Sequence, residues 1–108
     1  MSAEPTPPHS PPEDAALLRR YAATGDESAF AELGQRRIGL VYAVALRQTR
    51  GHRAQAEDAT QAVFIDLARK AKSLAARPVI ASWLYRSAQF AATALIRTEQ
   101  RRLAREQA

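Results

Sequence analysis

Ala56-Glu57-Asp58-Ala59-Thr60-Gln61-Ala62-Val63-Phe64-Ile65-Asp66-Leu67-Ala68-Arg69-Lys70 reads as one amphipathic helix with an apolar residue on its wrong face. At about 100° per residue, Ala56, Thr60, Val63, Leu67 and Ala71 form a stripe flanked by Ala59 and Phe64, the pattern of a buried face. Asp58, Gln61, Ala62, Ile65 and Arg69 fall on the opposite side. A solvated face has no use for Ile65 at its centre. A small apolar spot rimmed by charge and amide is how a helix docks on another protein.

Outward from this stretch the chain reads as all-α, a small bundle of about four helices. Asp14 is positioned to cap a short helix from Ala15 to about Thr24, with Leu17, Leu18 and Tyr21 on its apolar side. Gly25 ends it, and Asp26 caps a second helix from about Glu27 to Arg50. Phe30, Leu33, Val41, Val44 and Ala45 point that helix toward a core, while Gly34 and Gly39 weaken it and predict a bend or a close helix contact. The third helix runs from about Ala54 to Lys72, and a loop from Ser73 to Val79 leads to a fourth from about Ile80 to Arg105. On that last helix Trp83, Ser87, Phe90 and Ala94 form one side, adjoined by Leu84, Ala91 and Leu95, and this arc is expected to be mostly core.

Five of the six prolines fall between Pro5 and Pro12, so residues 1–13 are expected to form a disordered leader before a helical domain over 14–106. The leader has neither a basic opening nor an apolar segment, unlike a secretory signal. No apolar run approaches the roughly 20 residues of a membrane span, so a cytoplasmic protein without a membrane partner is the expectation. Absence of cysteine excludes disulfides, thiolate metal sites and a cysteine nucleophile.

The net charge of +5 is unevenly spread. Arginines 36, 37, 47, 50 and 53 occupy a stretch without acids, Arg69, Lys70, Lys72 and Arg77 form a second group, and Arg97, Arg101, Arg102 and Arg105 a third. Segregation of this kind favours an anionic polymer as a partner, although alanine-rich helices also carry arginine for solubility. Arg86, Gln89, Thr93, Arg97 and Gln100 form a polar stripe on the last helix, preceded by a cationic loop. Arginines spaced by amides can track a phosphate backbone, and a cationic loop beside them can hold a separated strand.

Catalytic patterns are missing, and no enzyme is expected. His9 and His52 belong to no ligand-spaced set, so neither metal nor cofactor is implied. Glu57 and Asp58 are adjacent on a helix and diverge by about 100°, which prevents convergence on one substrate.

Ala56-Glu57-Asp58-x-x-Gln61-x-x-Phe64, a short basic segment, and Ala81-Ser82-Trp83-Leu84-Tyr85-Arg86-Ser87-Ala88 together resemble region 2 of sigma factors, most closely the extracytoplasmic-function (ECF) group. Leu17-Leu18-Arg19-Arg20-Tyr21 and the segment Gly25 to Leu33 resemble that group's opening helices, which extends the likeness over about residues 15–106. The resemblance implies a bacterial transcription-initiation module that binds RNA polymerase core through the β′ clamp helices. It implies capture of the non-template strand of the promoter −10 element, and an anti-sigma factor as a further partner. Carried onto this chain, Asp58, Gln61, Ala62, Ile65 and Arg69 would contact polymerase. Lys70, Lys72, Arg77, Arg86, Gln89 and Arg97 would contact DNA, with Trp83 a core residue beneath them.

The chain departs from that pattern at several positions. Ala62 stands where many relatives carry Glu, Ser87-Ala88-Gln89-Phe90 where many read Ile-Ala-Arg-Asn, and Ala94 where many carry Asp. The resemblance therefore implies no particular promoter sequence. A region 4, which reads the −35 element, has no counterpart within these residues. Two alternatives stand beside a promoter-opening module: a protein-interaction module that docks on polymerase or an anti-sigma factor, and a basic bundle unrelated to transcription.

Overall fold

A computed structural model describes residues 12–77 and 79–107; the leader, apart from positions 12 and 13, and Pro78 lie outside the described residues. Among the described residues five helices follow one another: α1 Pro12–Thr24, α2 Glu27–Gln48, α3 Arg53–Arg69, α4 Ala71–Leu74 and α5 Ile80–Gln107. Among the described residues there is no strand, and the fold is all-α. α2, α3 and α5 pack against one another, α1 lies against α2, and α4 lies against α1.

The α3 stripe is buried as its spacing requires: Ala56, Ala59, Thr60, Val63 and Leu67 are inside. The Thr60 hydroxyl is satisfied within the helix by donating to the Ala56 carbonyl at 2.8 Å. α3 starts at His52, whose Nδ1 accepts from the Gln55 N–H at 3.2 Å. It stops at Arg69, three residues earlier than its pattern suggests, because Lys70 leaves helical geometry at ψ 17°. One turn of helix, α4, then buries Ala71 and Leu74, so part of the expected loop is helical and the bundle has five helices rather than four.

Other expectations also change. Asp14 caps nothing; it sits inside α1, 1% exposed, and its Oδ2 accepts from Arg37 Nε at 2.6 Å. Pro12 and Glu13 belong to α1 and not to the leader. α2 runs unbroken through Gly34 and Gly39, and a Cβ at either position would meet nothing within 4 Å, so no helix makes a close approach there. The turn after α2 is made by Arg50 and Gly51, at φ 55° and 85°, one residue past the Thr49 C-cap.

α5 carries the largest revision. Its buried stripe is Ile80, Leu84, Ala88 and Ala92, not the Trp83–Phe90–Ala94 side. Phe90 is 76% exposed, and Trp83 is only half-buried against the core. The reason is packing distance. Ala45 of α2, Ala56 and Ala59 of α3 and Ala92 of α5 are all fully buried in one cluster. Alanines here bring the three helix backbones close together, and Ile80 and Leu84 complete the α5 stripe, which leaves the aromatic side of α5 at the rim.

Asp26 caps α2 as its sequence predicts, accepting from the Ser28 N–H at 3.0 Å and the Ala29 N–H at 3.4 Å. Its carboxyl is held below the ordinary value of 3.8, first by the Ser28 hydroxyl and then by these N–H groups, against some desolvation. A depressed folded-state value means that the carboxylate stabilises the fold above the unfolded value and ceases to as pH falls through the folded one. Asp26→Ala should therefore lower Tm at neutral pH, with the gap to wild type narrowing below pH 3.8. Thermal melts across acid pH measure it, and a gap independent of pH would show that the charge is irrelevant to the cap.

Candidate protein and nucleic-acid interface

The outer face of α3 presents Asp58, Gln61, Ala62 and Ile65 to solvent, and Ile65 keeps 54% of its surface accessible. Because the opposite stripe is fully committed to the core, this outward direction is fixed. Asp58 and Gln61 lie on the N-terminal half of the helix. Ala62, Ile65 and Arg69 lie further along, where α3 and α5 diverge and leave a groove of about 730 Å³.

One wall of that groove is Ala62, Ile65, Asp66 and Arg69 from α3; the other is Trp83, Arg86, Ser87, Phe90 and Ala94 from α5, with Lys70 and Arg77 at the end. Residues that the sequence divides between two partners thus share one concave surface. Its base is apolar and its edges are cationic. Asp66 is its one acid among the described residues, and Lys70 Nζ lies 3.8 Å from Asp66 Oδ2. Arg69, Arg77 and Arg86 form no ion pair among the described residues. Arg77 is placed by its backbone, whose N–H donates to the Leu74 carbonyl at 3.0 Å and folds the chain back after α4.

The remaining candidates sit apart. Gln89 and Arg97 line a neighbouring recess of about 390 Å³ with Gln48, Thr93 and Ala94, and Phe90 forms the ridge between this recess and the main groove. Lys72 is not in the groove but in an adjoining recess with Tyr21, Ala22 and Gly25, which shares Arg69 and Lys70 with it. Two of the five arginines of the first basic group are spoken for, and Arg47, Arg50 and Arg53 form no ion pair among the described residues. Arg37 pairs with Asp14, and Arg36 Nη2 lies 3.1 Å from Glu32 Oε2 with Glu13 and Asp14 also within 4 Å of Nη1. In the third group Arg102 is held between Glu99 and Glu106, which leaves Arg97, Arg101 and Arg105 unpaired among the described residues. No group of three or more His, Cys, Asp or Glu side chains able to hold a metal occurs among the described residues.

The missed residue is Phe90. Its signal was present in the sequence: Ile80, Leu84, Ala88 and Ala92 repeat at intervals of four, a complete stripe without any aromatic.

The family model for sigma-70 region 2 matches residues 33–102, which include α3, α4 and most of α2 and α5. The chain belongs to the sigma-70 region 2 family. Sigma region 2 is a transcription-initiation domain whose partners are RNA polymerase core and promoter DNA, and the groove lies wholly inside the matched segment. Comparison with curated proteins and with solved structures gives no match. Among the described residues no helix is long and apolar enough to cross a membrane.

Proposed function

We propose that this sigma region 2 acts as an ECF-type bacterial initiation module, docking on the β′ clamp helices and capturing the −10 non-template strand. The working unit is the whole bundle α1–α5, acting in the cytoplasm where the polymerase is. Asp58 and Gln61 supply polar contacts to polymerase, with Ala62, Ile65 and Arg69 continuing that surface into the groove. Lys70, Arg77 and Arg86 hold the strand's phosphates along the groove, and Gln89 and Arg97 extend the track along α5. Lys72, in the recess that adjoins the groove at Arg69 and Lys70, adds attraction at its end.

The observation that carries this reading is the one-sided commitment of α3. Its inner stripe is consumed by the core, while the outer face keeps Ile65 exposed among polar neighbours. Strand opening here is binding and not catalysis: cations on the backbone and a recess for unstacked bases offset the cost of separation. Docking on an anti-sigma factor through the same α3 face is the second reading, favoured by that same exposed Ile65.

Core polymerase pull-down with wild type, Asp58→Ala and Gln61→Ala tests it. Both variants should fold normally, since both side chains are exposed, and both should retain less polymerase, by about tenfold for an interfacial polar contact worth 1–2 kcal/mol. Retention equal to wild type would remove Asp58 and Gln61 from the docking surface. Failure of the folded wild type to bind at all would leave the likeness one of fold.

A further inference from the structure

We infer that the proline-rich residues 5–11 of this chain dock in extended form in an apolar recess between α2 and α5, with proline rings packed on the ring of Tyr85. The recess shares only Arg86 with the α3–α5 groove, and the docking does not depend on what that groove binds.

The recess holds about 600 Å³ and is lined by Leu40 of α2 and by Ala81, Ser82, Tyr85 and Arg86 of α5. Tyr85 keeps 41% of its surface accessible, and Leu40 is only partly buried against the core. The position of the recess follows from where two helices start. α1 begins beside Arg36 and Arg37: Asp14 Oδ2 accepts from Arg37 Nε at 2.6 Å, and Glu13 Oε1 lies 3.9 Å from Arg36 Nη1. Leu40 is one turn further along α2 from Arg36, and there the first turns of α5 take over the packing with Ala81 and Tyr85. The chain thus enters α1 about one helical turn from the recess.

Composition and tethering select the occupant. Proline fixes φ, so a segment with Pro5, Pro7, Pro8 and Pro11 has little conformational entropy to lose on docking in extended form. Proline-rich segments in that form dock on apolar surfaces lined by aromatic rings, as Tyr85 lines this one. Seven residues at about 3.1 Å each span about 20 Å, enough to cross a recess of this size. Residues 1–11 carry no Lys or Arg and one acid, Glu4, so nothing in them opposes Arg86. A segment joined to α1 beside the recess is held at a millimolar effective concentration, so a contact too weak to form between molecules forms within one chain. A second copy or another protein would have to displace it.

The test uses the full chain. It has no cysteine, so Ser2→Cys carries a single nitroxide label, and amide resonances are compared with the label active and reduced. Docking predicts a selective loss of intensity at Leu40, Ala81, Ser82 and Tyr85. Tyr85→Ala should abolish that selectivity, and so should the pair Pro7→Gly, Pro8→Gly, which changes no residue of the bundle and stays informative even where Tyr85→Ala disturbs the fold. Intensity loss spread evenly around the start of α1 in the wild type overturns the inference. So does a selective loss that the double glycine variant leaves unchanged. Mixing nitroxide-bearing chains with isotope-labelled, nitroxide-free chains reads contacts between molecules; loss at the same four amides in that mixture would assign the recess to the segment of a second copy and overturn docking within one chain.

Discussion

Asp14→Ala should destabilise the bundle by about 3 kcal/mol, because it strips the partner from a largely buried guanidinium. That corresponds to a Tm drop of about 15 °C in a domain of this size. Asp14 is 1% exposed, the Arg37 side chain is 17% exposed, and Nε and Oδ2 lie 2.6 Å apart. The pair joins α1 to α2 across 23 residues of sequence, and Arg36 Nη1 adds charge at 3.8 Å from the other carboxylate oxygen. That second oxygen, Oδ1, accepts no hydrogen bond, so Arg37 supplies the hydrogen bond of the site and Arg36 only charge. Position adds to this, since an acid in the first turn also favours the positive end of the α1 dipole.

Removing an exposed partner is a different matter. Glu32 faces Arg36 one turn away with more than half of its side chain in water, and Glu32→Ala should leave Tm nearly unchanged. Hydrogen exchange gives the local readout: amides of α1 should lose protection first in Asp14→Ala. The double variant Asp14→Leu, Arg37→Met should recover much of the loss, because matched apolar groups remove the unpaired charge. A Tm within two or three degrees of wild type for Asp14→Ala would mean that Leu17 and Leu18 alone hold α1 in place.

The contrast between Asp14 and Asp26 shows what sequence can reveal here. Both precede a helical run and both fit a cap. Asp26 is followed by Ser and Ala N–H groups within reach and by nothing better, so the local motif prevails. For Asp14 a competing arginine lies 23 positions away, and only the α1–α2 packing brings the two together. The buried and exposed faces of α3 were legible because they differ in residue type, while its end was not, since Lys70 leaves helical geometry three residues before the pattern stops. α5 was legible only in part, because Ala88 and Ala92 make up half of its buried stripe while Trp83 and Phe90 stand at its rim, the reverse of the usual weighting by size. The groove itself has no signature in sequence. Ile65 and Phe90 are 25 positions apart, and it takes the return through α4 to set the α5 wall opposite that of α3.

Replacing Arg77 and Arg86 together by alanine should weaken single-strand binding at low salt for every sequence tested, by about 10- to 100-fold, if each guanidinium holds one phosphate. The diagnostic is the salt dependence. Each phosphate neutralised on a single strand contributes about 0.7 to the slope of log affinity against log salt, so two lost contacts should flatten that slope by about 1.4. Both side chains are exposed and unpaired among the described residues, so folding should be unaffected and nothing inside the protein needs to be broken before they bind. Losing these cations should change the slope and leave base preference alone. Identical slopes for wild type and the double variant would place the strand outside this groove. The unpaired Arg97, Arg101 and Arg105 of α5 would then be one remaining cationic track, and the exposed Arg47, Arg50 and Arg53 around the α2–α3 turn another.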